Sequence, residues 1–121
     1  MPKIDRVLID TGPLVAILSA SDAHHRRCVD ELKRHRNAFL TCWPVLAEAG
    51  WLLRREPTGV KRLFQLIEAG VVELAELDSK AAPWVMRFLE QFESVQADVA
   101  DAALMYLAER EGIQRAFTID R

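Results

Sequence analysis

The stretch Val7-Leu8-Ile9-Asp10-Thr11 narrows the fold more than any other part of the chain. Three consecutive branched apolar residues leave no polar face, as in a short strand covered on both sides within a parallel sheet. Asp10 ends the run, and Gly12-Pro13 turns the chain into a helix, with proline suited to the first helical position. An acid at the carboxyl end of a buried strand lies where open α/β sheets place their ligands. The function therefore depends on whether other acids meet Asp10.

The rest of the chain alternates in the same way. Ala38–Cys42 reads as a second buried strand. Val71–Leu77, only partly alternating, reads as a third strand nearer an edge, and Arg115–Ile119 as the last. Between them the spacing predicts helices over Leu14–Ser19, Ala23–Arg36 (capped by Ser21 or Asp22), Pro44–Leu53, and Val60–Ala69 with Gly70 as its stop. In that fourth helix Leu63, Phe64, Leu66 and Ile67 are expected to be buried. Ala81–Phe92 follows, capped by Asp78 or Ser79 with Pro83 in its first turn, and Asp98–Glu111 ends at Gly112. Strands alternating with helices predict an α/β fold, a small parallel sheet with helices on both faces. A length of 121 residues fits one domain, residues 1–121, large enough for a core.

The net charge of −2 provides no global attraction to nucleic acid. RNA binding would need local basic patches and a bridging cation, because bare acids repel phosphate. Arg26-Arg27, Lys33-Arg34, and Arg54-Arg55 with Lys61-Arg62 are the candidate patches, and solvated helix faces are the alternative. Cys28 and Cys42 form no C-x-x-C pair, which points to a reduced, cytoplasmic protein. The N-terminus has no signal-peptide pattern, and no apolar run approaches a membrane span.

Five acids interrupt or directly end apolar segments: Asp10, Glu48, Asp98, Asp101 and Asp120. Asp10 and Asp120 follow strands that share an edge in a parallel sheet. Asp98 and Asp101, three apart, lie on one face of a first helical turn. Glu48 sits about one turn into the helix after the second strand. Carboxylates packed together drive one another toward protonation, so a site that keeps several ionised requires a cation. An all-oxygen donor set suits Mg²⁺ or Mn²⁺ rather than zinc. Such an ion holds phosphate oxygens, lowers the pKa of a bound water and stabilises a leaving oxygen. Thr11 and Thr118 stand beside two of the acids and are candidate hydrogen-bond donors to them.

These segments also carry a resemblance. Val7-Leu8-Ile9-Asp10-Thr11, Glu48 after Thr41-Cys42-Trp43-Pro44, Asp98-Val99-Ala100-Asp101-Ala102-Ala103-Leu104 and Phe117-Thr118-Ile119-Asp120-Arg121 resemble, in order and spacing, the PIN-domain ribonucleases. Among these are the VapC-type toxins of prokaryotic toxin–antitoxin pairs. The resemblance implies a PIN-like three-layer α/β/α sandwich, Mg²⁺- or Mn²⁺-dependent cleavage of RNA, and inhibition by an antitoxin protein. By position, Asp10, Glu48, Asp101 and Asp120 match the four catalytic acids. Asp98 matches an extra acid of part of the family and joins Asp10 and Asp101 as a metal ligand. The family usually continues past the fourth acid into another strand, and this sequence stops at Arg121.

Every acid but Asp101, which sits among apolar neighbours past the cap, also has an ordinary structural explanation. Asp10 and Asp98 are good helix caps, Glu48 fits an exposed helical position, and Asp120 fits a surface turn. His24, His25 and Cys28 are too few for a zinc site. Trp43, Trp51, Trp84, Phe64 and Phe88 are expected mainly in the core. The second to fifth helices nonetheless carry more large apolar residues than one small sheet can cover, which predicts a homodimer face or a groove for an antitoxin helix. A haloacid-dehalogenase-type phosphatase would need an acid at position 12, which is Gly12. A receiver domain would need an acidic pair after the first strand and a lysine after the last, and both are missing. The remaining alternative is a PIN-like module that binds RNA or protein without cutting it.

Overall fold

The computed structural model describes residues 5–35 and 38–119. Four three-residue strands, β1 (Val7–Ile9), β2 (Phe39–Thr41), β3 (Val72–Leu74) and β4 (Arg115–Phe117), form one parallel sheet in the order β3-β2-β1-β4. Val7 pairs with Phe39 on one side and Arg115 on the other, so β1 is an inner strand. It is buried throughout, as a run without a polar face must be. All four carboxyl ends share one edge of the sheet.

Six α-helices connect and cover the strands: α1 (Thr11–Leu18), α2 (His25–Arg34), α3 (Trp43–Leu52), α4 (Gly59–Glu68), α5 (Ala82–Gln91) and α6 (Val99–Glu111). α1 packs on α2 and α3, α3 on α6, and α6 on α5, completing the α/β sandwich. One core runs through the sheet, built on Leu8, Ile9, Phe39, Leu40, Leu14, Leu46, Leu63, Leu104 and Leu107. Gly112, at φ +66°, terminates α6 in a left-handed conformation that suits glycine. Gly59 opens α4 where a Cβ would lie only 2.9 Å from that of Glu56, so the tight turn between α3 and α4 needs glycine for space.

Several expectations require correction. α1 begins at Thr11, three residues early, because Asp10 itself caps it. α2 begins at His25, with His24 at the cap position, while Asp22 accepts the His24 N–H instead. Its predicted end at Arg36 lies outside the described residues. Asp78 caps a 3₁₀ turn at Ser79–Ala81, not α5 directly, and the link at Ser94 contains another 3₁₀ turn. Phe64 is exposed and Leu66 and Ile67 only half-buried, since only Gly59 and Leu63 of α4 are fully covered. β4 is an edge strand with Arg115 and Ala116 exposed. Trp43 and Trp51 are exposed, not core, whereas Trp84 and Phe88 are half-buried and stack on each other at 5.5 Å. No helix among the described residues is long and apolar enough to cross a membrane.

Candidate active site

The site grows from the end of β1. Asp10 leaves the strand in extended conformation and becomes the N-cap of α1. Its Oδ1 accepts the Thr11 N–H at 2.8 Å. The buried Thr11 side chain then turns toward α3, where its Oγ1 donates to Glu48 Oε2 at 3.2 Å. Thr11 thus links the first acid to the second through its own backbone and hydroxyl. Thr118, the other threonine singled out by sequence, is exposed.

α6 presents the other two acids. Asp98 is its N-cap, and Asp98 Oδ1 accepts the Asp101 N–H at 2.9 Å. Asp101 Oδ2 accepts the Asp98 N–H in return at 3.0 Å, closing a reciprocal capping box. The two carboxylates are held on the first turn of a helix whose positive end faces them. The expectation that Asp98 and Asp101 share a face therefore holds, with hydrogen bonds as its cause.

The packing of α1 on α3 and of α3 on α6 brings these acids near enough to act on one another. Burial pushes the Asp10 carboxyl above its usual range; the Thr11 N–H pulls it down and the Asp98 charge adds to the rise. Glu48 is raised first by burial, then by Asp98, with Asp10 and Asp101 contributing and Thr11 opposing. Asp101 is raised by burial, against the Asp98 N–H, and further by Asp98 and Asp10. The charges that act on these groups are one another's. Four acids that sequence alone placed only as candidates therefore sense each other across the fold. Asp120, the fifth, lies outside the described residues.

Each of the four hydrogen bonds above uses one carboxylate oxygen: Oδ1 of Asp10, Oε2 of Glu48, Oδ1 of Asp98 and Oδ2 of Asp101. Helix capping and ligand binding are thus compatible for Asp10, whose cap uses Oδ1 alone. Among the described residues no three His, Cys, Asp or Glu side chains stand close enough to enclose an ion by themselves. A hard cation that retains several waters needs only one or two protein carboxylates, and this oxygen donor set fits one.

The remaining sequence candidates do not join the site. Cys42 is fully buried at the start of α3, and burial, aided by the Asp10 charge, pushes its thiol up to about 11. It stays protonated at neutral pH and makes a poor metal ligand. Cys28 is also buried, and His25 Nδ1 donates to the Ala16 carbonyl at 2.7 Å, so the His24–Cys28 region serves packing.

Comparison with known proteins agrees with this architecture. The crystal structure of VapC20 from Mycobacterium tuberculosis, described as a sarcin-ricin loop cleaving toxin, matches with a TM-score of 0.86 and 21% sequence identity. The match covers 94% of this chain and 89% of that one, a likeness of fold. No curated protein matches the chain by sequence. The family model for the PIN domain matches residues 7–121, from β1 through all four strands. With the acids at the carboxyl edge of such a sheet, the chain belongs to the PIN domain family.

Proposed function

We propose that this protein is a Mg²⁺- or Mn²⁺-dependent endoribonuclease, the toxin of a VapBC-type toxin–antitoxin pair. The observation that carries the reading is that Asp10, Glu48 and Asp101, contributed by three separate elements, are each raised by burial and by neighbouring acid charges, that of Asp98 among them. The fold shared with VapC20, a sarcin-ricin loop cleaving toxin, supports the choice of substrate class. Raised carboxylates clustered on one edge are costly unless an opposite charge relieves them. A divalent ion does so and also overcomes the repulsion between this edge and an RNA phosphate.

In this reading Asp10 and Asp101 hold the ion directly, and Asp98 acts on it through waters the ion retains. When bound, the ion supplies positive charge to phosphate oxygens and favours ionisation of water near them. Asp10 is fixed by the Thr11 N–H and Asp101 by the Asp98 N–H, so neither needs to reorganise. Glu48, on α3 and held by the Thr11 hydroxyl, is proposed to orient the attacking water or receive its proton. Its raised pKa moves it toward the range useful to a base. Asp120, three residues past the end of β4 in the sequence, is proposed as the fourth catalytic acid.

Partners follow from the same reading: RNA as substrate, an antitoxin protein as inhibitor, a second copy of the chain, and the cytoplasm as location. The test is cleavage of cellular RNA with Mg²⁺ or Mn²⁺ by wild type, Asp10→Asn and Asp101→Asn. Activity should fall by more than about 100-fold in each variant. Undiminished cleavage by either would defeat the proposal. The rival, a PIN-like module that binds without cutting, takes its support from the lack of a closed three-ligand cluster among the described residues. It predicts no Mn²⁺ binding in calorimetry.

A further inference from the structure

Trp51 stands on α3 three residues after Glu48, on the neighbouring helix position one turn further on. It is 63% exposed, an unusual position for an indole, and Leu52 beside it is 51% exposed. Arg54 folds back over the ring, its guanidinium carbon 3.7 Å from the ring centroid, while Nη1 donates to the Trp51 carbonyl at 2.8 Å. One face of the indole is thus covered by a fixed cation and the other is left outward. Arg55 follows, also exposed, and among the described residues neither Arg54 nor Arg55 forms an ion pair.

We propose that Trp51, backed by Arg54, is the stacking platform for an unpaired base flanking the cleaved bond, with Arg55 meeting the adjoining phosphate. The choice of RNA as ligand rests on the nuclease reading; the platform itself rests on the Trp51–Arg54 geometry and its position beside Glu48. A base stacks on an indole without sequence preference, and an arginine held against the other face strengthens the stack while attracting the backbone. The two unpaired cations match the charge of RNA, which the chain as a whole, at net −2, does not. A helix carrying a candidate catalytic acid on one turn and an aromatic platform on the next fixes the distance between cut site and recognised base. The platform selects single-stranded over double-stranded RNA, because a paired base cannot leave its stack to reach the indole.

The test uses full-length Asp10→Asn protein, so that RNA stays uncut, titrated with a short single-stranded oligouridylate and with a duplex of equal length. Adding Trp51→Ala should weaken single-strand binding roughly 5- to 150-fold and leave duplex binding unchanged. Trp51→Phe should recover part of the loss, which excludes misfolding as its cause. Arg55→Ala should reduce the slope of log affinity against log salt by about one. Equal single-strand binding with and without Trp51 overturns the proposal. So does a change of oligomeric state in Trp51→Ala with RNA binding intact, which would assign this face to a second copy of the chain. The two readings separate cleanly. A wild type that cuts RNA while Trp51→Ala binds normally refutes the platform alone. A wild type that cuts nothing while Trp51→Ala loses oligouridylate refutes the nuclease alone.

Discussion

Asp98 has two roles that substitution can separate. Its Oδ1 caps α6 by accepting the Asp101 N–H, and its charge raises Asp10, Glu48 and Asp101. Asparagine keeps a capping oxygen of the same reach and removes the charge; alanine removes both. Loss of the cap in Asp98→Ala costs about 1 kcal/mol. Relief of repulsion among the remaining acids offsets part of that, so the net loss belongs in the lower half of the usual range for caps. In a domain of this size, 1 kcal/mol shifts Tm by about 4 °C. Asp98→Asn retains the cap and gains the relief, so in EDTA its Tm should equal or exceed that of wild type. In Mn²⁺ calorimetry both variants should bind roughly tenfold more weakly, because the charge that draws the ion is gone in each. Thermal melts in EDTA and titrations with Mn²⁺ read the two roles independently. Equal destabilisation by Asn and Ala would refute the side-chain cap. Unchanged Mn²⁺ affinity in Asp98→Asn would refute the electrostatic role.

Two further outcomes are expected. Asp10, Glu48 and Asp101 hold protons more tightly in the folded than in the unfolded chain, so their contribution to stability falls as pH rises above the ordinary values of 3.8 for Asp and 4.5 for Glu. Melts in EDTA should therefore show Asp10→Asn gaining on wild type between pH 4 and pH 7, and a difference independent of pH would contradict the raised carboxyls. Thr11→Val keeps the size of a buried side chain but removes the donor to Glu48, and it should lower cleavage about 10- to 100-fold with Thr11→Ser restoring most of it; full activity in Thr11→Val would show that Glu48 needs no such anchor.

The inner part of the fold was legible because its residues have only one sensible environment. Val7-Leu8-Ile9 and Phe39-Leu40-Thr41 have no polar face, and the sheet buries both runs completely. Gly70 and Gly112 marked the ends of α4 and α6 through their left-handed conformation. The periphery was less legible because amphipathic or aromatic residues there are decided by which neighbour reaches them. Arg115–Ile119 reads as a buried strand, yet among the described residues no strand pairs with the outer side of Arg115-Ala116-Phe117. Trp43 and Phe64 lean on each other at 6.0 Å across α3 and α4, a surface pair that sequence cannot distinguish from a core pair. At the site, Asp10, Glu48, Asp98 and Asp101 were found as acids out of place among apolar neighbours. Thr11 was read as a candidate donor to the adjacent acid. That its hydroxyl bridges instead to Glu48, 37 residues away, required the packing of α1 on α3.

The caps and the site are one device. A helix start exposes backbone N–H groups that need an acceptor, and a carboxylate satisfies them with one oxygen while the helix end favours its charge. Two helices, α1 and α6, begin at the same region of the sheet, so the demand for caps by itself gathers Asp10, Asp98 and Asp101. Capping fixes their orientation in the absence of any ligand, while burial first and the neighbouring charges second raise Asp10 and Asp101. The strain introduced by meeting each helix's need separately is in part electrostatic and shared, and on the proposed reading a divalent ion at this edge offsets that part. That is why a capping residue and a ligand need not be rival readings of the same aspartate. It is also why neutralising one acid should stabilise the metal-free protein while weakening its hold on the ion, two effects of opposite sign from a single cause.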